Sequence, residues 1–321
     1  MRHLVRYLGK NTKITDLDSN FLNRWEADGE RQSYLLFRKD EGASDSTITN
    51  EISTITAAFT WLYDEGHHNI RKIKKPEATK SQHDIDNEKV QRETFSYPEY
   101  KKWTTALSRS YVAPVSVKNN VSAEEWYDRQ LARHYFLFAA NSGMRSGELR
   151  KLKWEDVKIE VVGGGNTEEV MLARVQVRAS TTKVRKSRTF FCVGGLYLKR
   201  WGNEFAKHKS GIIFSRDGKK ELSNSFFHKH FRRVLNLTDI EKERKDQLVP
   251  YSLRHFLITQ RFMAGVRYED IANMCGSSVK TVERTYIHLN EEIMKRTALA
   301  KYTVRDGIAV PLVNLLDETL V

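Results

Sequence analysis

Cysteine is almost missing from this chain: Cys192 and Cys275 are the only two in 321 residues, far apart and outside any CxxC spacing. That excludes a disulfide framework or a cysteine-held zinc site as the organising principle, and a reducing, cytoplasmic setting is expected. No apolar run approaches the ~20 residues that span a bilayer, and no signal peptide opens the chain, so no membrane partner is expected. The His67-His68 pair and the His228/His230 pair have no cysteine or clustered acid beside them. They read as surface histidines, and no metal or other cofactor is expected. Repeats and low-complexity tracts are absent as well.

Positive charge is present in excess. Lys and Arg number 54 against 41 Asp and Glu, a net charge of +13, and the isoelectric point is near 9.5. Such a balance favours a polyanionic partner, because displaced counterions drive binding to nucleic acid. Hydrophobic residues make up 40%, enough for packed cores, and 321 residues are enough for two domains.

In chain order, Arg2 to Gly9 reads as a short helix closed by Gly9. Thr15 to Trp25 places Leu17, Phe21, Leu22 and Trp25 on one helical face, and Ser33 to Lys39 reads as another helix. Thr47 to Glu65 is the most periodic stretch, with Ile48, Ile52, Ile55, Phe59 and Leu62 on one side and Gly66 closing it. Thr47, Thr49 and Asn50 at its start are candidates either for nucleic-acid contact or for simple capping. From about Ile70 to Arg92 the pattern dissolves into lysines and acids, as in a linker. Ser96 with Glu99, and Ser122 with Glu125, mark two helix starts. Val157–Val162, Val170–Val177 and Arg188–Val193 read as a small antiparallel sheet, with Gly163-Gly164-Gly165 turning the first pair. Trp201, Phe205, Phe214, Phe226, Phe227, Phe231 and Leu235 read as core. The segment after Glu291 reads as a helical start, a break at Pro311 and an apolar end.

Four motifs stand out in one order. Ser142-Gly143-Met144-Arg145-Ser146-Gly147-Glu148-Leu149 comes first, then Thr182-Lys183-Val184-Arg185-Lys186-Ser187-Arg188, then Tyr251-Ser252-Leu253-Arg254-His255. The last is Gly276-Ser277-Ser278 running on to Tyr286. Arginine grips phosphate oxygens through a planar fork of donors, and tyrosine can serve as a covalent nucleophile. From about Arg92 to Leu289 the chain resembles the tyrosine recombinase, or phage integrase, family. There an SGxRxxEL box supplies the first arginine, a hairpin TKxxKxRxxx the lysine, an HxLRH box the second arginine, and a GHxSxxxTxxxY box the nucleophile.

The resemblance implies a mainly α fold with a small antiparallel β-sheet, arranged as a two-domain clamp on double-stranded DNA. Residues 1–80 would be a helical core-binding domain, 81–93 a linker, and 94–290 the catalytic domain. Residues 291–321 would be a tail that docks on a neighbouring protomer or caps its own domain. It also implies site-specific DNA recombination, for integration or excision of a mobile element, through a 3′-phosphotyrosine, with neither metal nor ATP. A homotetramer would form on paired sites, with accessory DNA-bending proteins as further partners and the nucleoid as location. Tyr286 would be the nucleophile, Arg145 and Arg254 the phosphate clamp, and Lys183 the general acid, with Arg185 and Lys186 as rivals in its loop. Glu148 and His255 would support the fold. Two positions depart from the family. Tyr251 stands where histidine is usual, and Ser277, nine residues before Tyr286, stands in place of histidine or tryptophan. Both hydroxyls can donate to a phosphate oxygen, but neither is an imidazole base. A relaxing enzyme of the type IB topoisomerase kind, or a catalytically weakened DNA-binding relative, are the alternative readings.

Overall fold

Five helices begin at a serine: Ser33, Ser44, Ser96, Ser122 and Ser223 each accept a hydrogen bond from the backbone N–H three residues on. A helix start leaves four N–H groups without partners, and the hydroxyl takes up one of them. The computed structural model describes residues 2–27, 30–76, 93–113, 121–164, 167–182, 185–286, 302–305 and 308–311. The chain divides into two units, Met1–Val90 and Gln91–Val321. The fold is mainly helical with one small three-stranded antiparallel sheet and two short hairpins. No helix among the described residues is long and apolar enough to cross a membrane.

In the amino-terminal unit, α1 (Arg2–Leu8) precedes a hairpin of β1 (Trp25–Ala27) and β2 (Glu30–Gln32), followed by α2 (Tyr34–Asp40) and α3 (Asp45–Asp64). Its core gathers Tyr7, Leu17, Phe21, Leu22, Tyr34, Ile48, Ile52, Ile55, Phe59 and Ile73. The periodicity of Thr15 to Trp25 therefore named buried residues correctly, but that stretch is not a helix. It runs as a single 3-10 turn (Ile14–Asp16) followed by tight turns, because the Asp18 carboxylate accepts from the N–H of Asn20 at 2.8 Å and competes with helical pairing. The linker expected from about Ile70 also begins too early. Ile73 is buried, and the N–H of Lys74 donates to the carbonyl of Ser19 at 2.7 Å. Thr47, Thr49 and Asn50 are exposed inside α3, whose cap is Ser44.

In the second unit, α4 (Tyr97–Thr105) starts with a full capping box of Ser96 and Glu99. The 20-residue α5 (Ala123–Ser142) is buried on nearly every side and forms the centre of the core. Around its Tyr135 and Phe136 pack Trp103, Phe227 and Phe231, with the Tyr135 and Phe227 rings 3.7 Å apart at their centroids. Then come α6 (Ser146–Arg150) and the sheet β3 (Val157–Gly164), β4 (Thr167–Val177) and β5 (Arg188–Cys192), paired in that order. The first two strands run further than expected, with Gly163 and Gly164 inside β3 beside a register shift. Helices α7 (Gly195–Arg200), α8 (Asn224–Leu235), α9 (Lys242–Gln247), α10 (Ser252–Met263), α11 (Tyr268–Cys275) and α12 (Val279–Tyr286) complete the unit, with a hairpin of β6 (Tyr302–Arg305) and β7 (Ile308–Pro311) beyond them. Pro311 thus ends a strand rather than breaking a helix, consistent with its missing N–H.

Two histidines read as surface residues are buried. His68 accepts from the N–H of Ile70 at 2.9 Å, and His230 faces the Tyr111 hydroxyl through Nδ1. His68 also meets the carbonyl of Ile14 at 3.0 Å, so both rings have hydrogen-bond partners brought to them by the fold.

Candidate active site

The first arginine is delivered by the end of α5. Gly143 closes that helix with φ +61°, a conformation that L side chains rarely adopt. A Cβ there would lie 2.9 Å from Leu257 Cδ2 and 3.1 Å from Cys275 Sγ. The glycine therefore makes room for α10 and α11. Two residues on, Arg145 caps α6, and its side chain fans out. Nη1 donates to Glu148 at 3.0 Å, and Nη2 donates to the Gly276 carbonyl and, at 3.4 Å, to Ser277 Oγ.

Arg254 reaches the same place from the first turn of α10, although it is only 3% exposed. Its Nη1 donates to the carbonyls of Gly143 and Cys275, and its Nη2 to Ser277 Oγ at 3.0 Å. Among the described residues its donors meet carbonyl and hydroxyl oxygens and no carboxylate. A buried charge without a counter-ion is expensive, so this arrangement favours an anion arriving from outside.

Among the described residues, Glu148 is the one acid in contact with these arginines, and its side chain is only 2% exposed. Burial alone would push its carboxyl up. The guanidiniums of Arg188, then Arg145, outweigh that and hold it below its ordinary 4.5. Arg188 takes both carboxylate oxygens, at 2.7 and 3.2 Å, and donates Nε to the carbonyl of Met274 at 3.2 Å. Sequence reasoning placed Arg188 at a strand start and gave it no role. The signal was there, since it is the arginine of the same TKxxKxRxxx motif. Among the described residues, three arginines against one glutamate leave a local excess of two positive charges. Cys275 beside them is buried, and burial pushes its thiol up, so it stays protonated and takes no part as a thiolate.

Tyr251 and His255 sit one helical turn apart, ring centroids 5.0 Å from each other, and the Arg254 guanidinium carbon lies 6.0 Å from the Tyr251 ring centroid. His255 is 8% exposed. The structure thus brings Arg145, Arg254, Ser277 and Glu148 into direct contact, with Tyr251 and His255 adjoining. Tyr286 is the last residue of α12, and its side chain lies outside the description; Lys183 falls wholly outside the described residues.

A model of the phage integrase family matches residues 118–292, more than half of the chain. The chain belongs to the phage integrase family. An integrase of Streptomyces ambofaciens is 28% identical over 194 residues, which cover 54% of this chain and 47% of that protein. This family member therefore spans about half the length of the curated relative it matches. Among solved structures, the XerH site-specific recombinase bound to palindromic difH substrate in a post-cleavage complex aligns with a TM-score of 0.59 at 16% identity, over 92% of this chain and 76% of that one. A lambda integrase dimer bound to a COC′ core site aligns with a TM-score of 0.53 at 16% identity, over 88% and 68%. At such identities the likeness is one of fold.

Proposed function

We propose that this phage integrase family chain is a site-specific DNA recombinase that cleaves and rejoins DNA through a covalent tyrosine intermediate. The observation that carries the proposal is Arg254: a buried guanidinium with no carboxylate partner among the described residues, meeting Arg145 at the Ser277 hydroxyl. A phosphodiester resists attack because its charge repels nucleophiles and grows on the non-bridging oxygens. Two fixed guanidiniums oppose both effects without reorganising. Tyr286 Oη attacks phosphorus, forming the phosphotyrosine and breaking the bond to the 5′-oxygen. That oxygen leaves with a proton from Lys183, and the phenol proton is released. Because bond energy is kept in the phosphotyrosine, the 5′-hydroxyl of another strand can reverse the step, needing no ATP and no metal.

Several further parts belong to the same reading. Double-stranded DNA is the partner, in keeping with the net charge of +13. Residues 1–80 and 94–290 act as two halves of a clamp joined through 81–93, and four copies assemble on paired sites. The neighbours crystallised with DNA support this by analogy.

The test uses nicked duplexes with a randomised core, incubated with the full chain and resolved by denaturing gel, with Tyr286→Phe as control. The expected result is a covalent adduct absent from the control. Tight binding with no adduct overturns the cleavage reading and favours the weakened relative, pointing to Tyr251 and Ser277. Adducts and relaxation by single copies, with no dependence on paired sites, favour the topoisomerase-like reading.

A further inference from the structure

We infer that Arg188 is a positioning residue that leaves the charge of Arg145 available to an anion by engaging both oxygens of the Glu148 carboxylate, while pinning the turn that carries Ser277. The inference rests on the proposed phosphate chemistry but concerns a residue outside its reacting groups.

Glu148 faces two guanidiniums at once. Arg188 engages it as a fork, whereas the Arg145 side chain has one contact, from Nη1 at 3.0 Å. A forked pair fixes the carboxylate plane, which a single contact does not. Without Arg188 the buried carboxylate has one remaining cation to satisfy it. It would turn fully onto Arg145 and cancel the charge that the phosphate needs.

The other end of Arg188 does separate work. Its Nε holds the carbonyl of Met274, in the last turn of α11, two residues before the glycine that ends that helix. Gly276 has φ +66°, and a Cβ on it would fall 2.4 Å from Arg188 Nη1 and 2.5 Å from Cζ. The guanidinium therefore lies flat against the glycine, and the carbonyl of that glycine accepts from Arg145. Strand β5, helix α6 and the α11–α12 turn meet at this side chain. The Arg188 side chain is only 13% exposed, and each of its three nitrogens already donates to the protein, so its role is assigned to positioning.

The distinguishing experiment is a double-mutant cycle of Arg188→Met with Glu148→Gln, with Arg188→Lys as the conservative variant. Two readouts are taken on the full chain: the rate of adduct formation on the nicked duplexes, and the affinity for inorganic phosphate by calorimetry without DNA. A charge-holding role predicts that Arg188→Met slows the adduct about 100-fold and weakens phosphate binding. Adding Glu148→Gln then restores part of both, because no carboxylate remains to neutralise Arg145. Arg188→Lys falls between wild type and Arg188→Met. A purely structural role predicts no rescue, since the double variant removes more contacts. Should Arg188→Met unfold, the soluble Arg188→Lys and double variants are compared directly with wild type. Wild-type behaviour in Arg188→Met, or a double variant no better than the single at matched melting temperature, overturns the inference. Wild type that binds phosphate yet forms no adduct sinks the recombinase reading while leaving this one to the phosphate cycle. Wild type that does neither overturns both.

Discussion

The amino-terminal unit and the second unit each contain a buried ionic cluster, and the two are built on opposite accounts. In the first, Arg38 is 6% exposed and forks onto Glu51 at 2.8 and 2.9 Å, with Glu41 on its third nitrogen. Tyr34 donates to Glu51 at 3.0 Å, and Arg6 joins Glu41 at 2.7 Å. Two cations meet two anions, and the hydrogen bonds from Arg38 hold the Glu51 carboxyl below its ordinary range. In the second, two arginines share one glutamate, and a third and more buried one, Arg254, bonds only to carbonyls and a hydroxyl among the described residues. A balanced cluster can serve to fix a fold. An unbalanced one is destabilising by itself and makes sense where an anion completes it.

Removing one arginine from each cluster tests that contrast most sharply. Arg254→Met takes away the uncompensated cation, and adduct formation should fall by roughly 10²–10³, as for loss of one fixed transition-state donor. Its melting temperature should change little, because the lost hydrogen bonds are offset by relief of a buried charge. Arg38→Met should do the reverse. It strands Glu51 and Glu41, and with Glu51 about a quarter exposed the loss is near the low end for broken buried pairs, about 3 kcal/mol. Chemical denaturation of both variants beside the adduct assay decides the matter. Equal stability losses would remove the distinction between the clusters.

What could be read in advance divides along the same line. Local signals were legible: the Ser96–Glu99 box, the cap at Ser122, the α3 periodicity and the three strands all depend on residues a few positions apart. The motif spacing was enough to single out Arg145, Arg254 and Ser277, which the structure joins. The Arg188–Glu148 pair was not legible as a pair, because the motif marks Arg188 but nothing in it points to a glutamate 40 positions away. Periodicity also failed at Leu17 to Leu22, where apolar residues recur at helical spacing although Asp18 turns the chain. His68 and His230 were misread because nothing local marks a histidine whose partners come from elsewhere in the fold.

Acid should separate the units by onset. Burial lowers both His134 and His230 from 6.5 to about 4. Between those values the unfolded chain binds protons that the folded chain refuses, so stability falls as pH falls through that window and levels off below about 4. Each histidine contributes at most roughly 3 kcal/mol. Glu51 has a lowered folded value, so its contribution is present above 4.5 and is lost only as pH drops through that lowered value. Hydrogen exchange, corrected for its intrinsic pH dependence, should show the second unit loosening from about pH 6.5 downward while the amino-terminal unit holds until below 4.5. Simultaneous loosening would mean that the histidines do not govern the difference.

The smallest expected effect lies at Ser277, and it asks how the unbalanced cluster meets its anion. Arg254 and Arg145 both donate into Ser277 Oγ, at 3.0 and 3.4 Å, which occupies its two lone pairs. The hydroxyl proton is then left to point away from the guanidiniums, where a phosphate oxygen would accept it. Ser277→Ala removes that donor and the oxygen on which the two arginines converge, and should slow adduct formation roughly tenfold, the worth of about one hydrogen bond to a charged group. Ser277→Thr keeps the hydroxyl and should retain most of the rate. Since a hydroxyl does not titrate near neutrality, the ratio of wild type to Ser277→Ala should be the same at pH 6 and at pH 8. A ratio that shifts across that range would place a proton-transferring group, with His255 beside Arg254 as the first candidate, in the step that the serine was assigned.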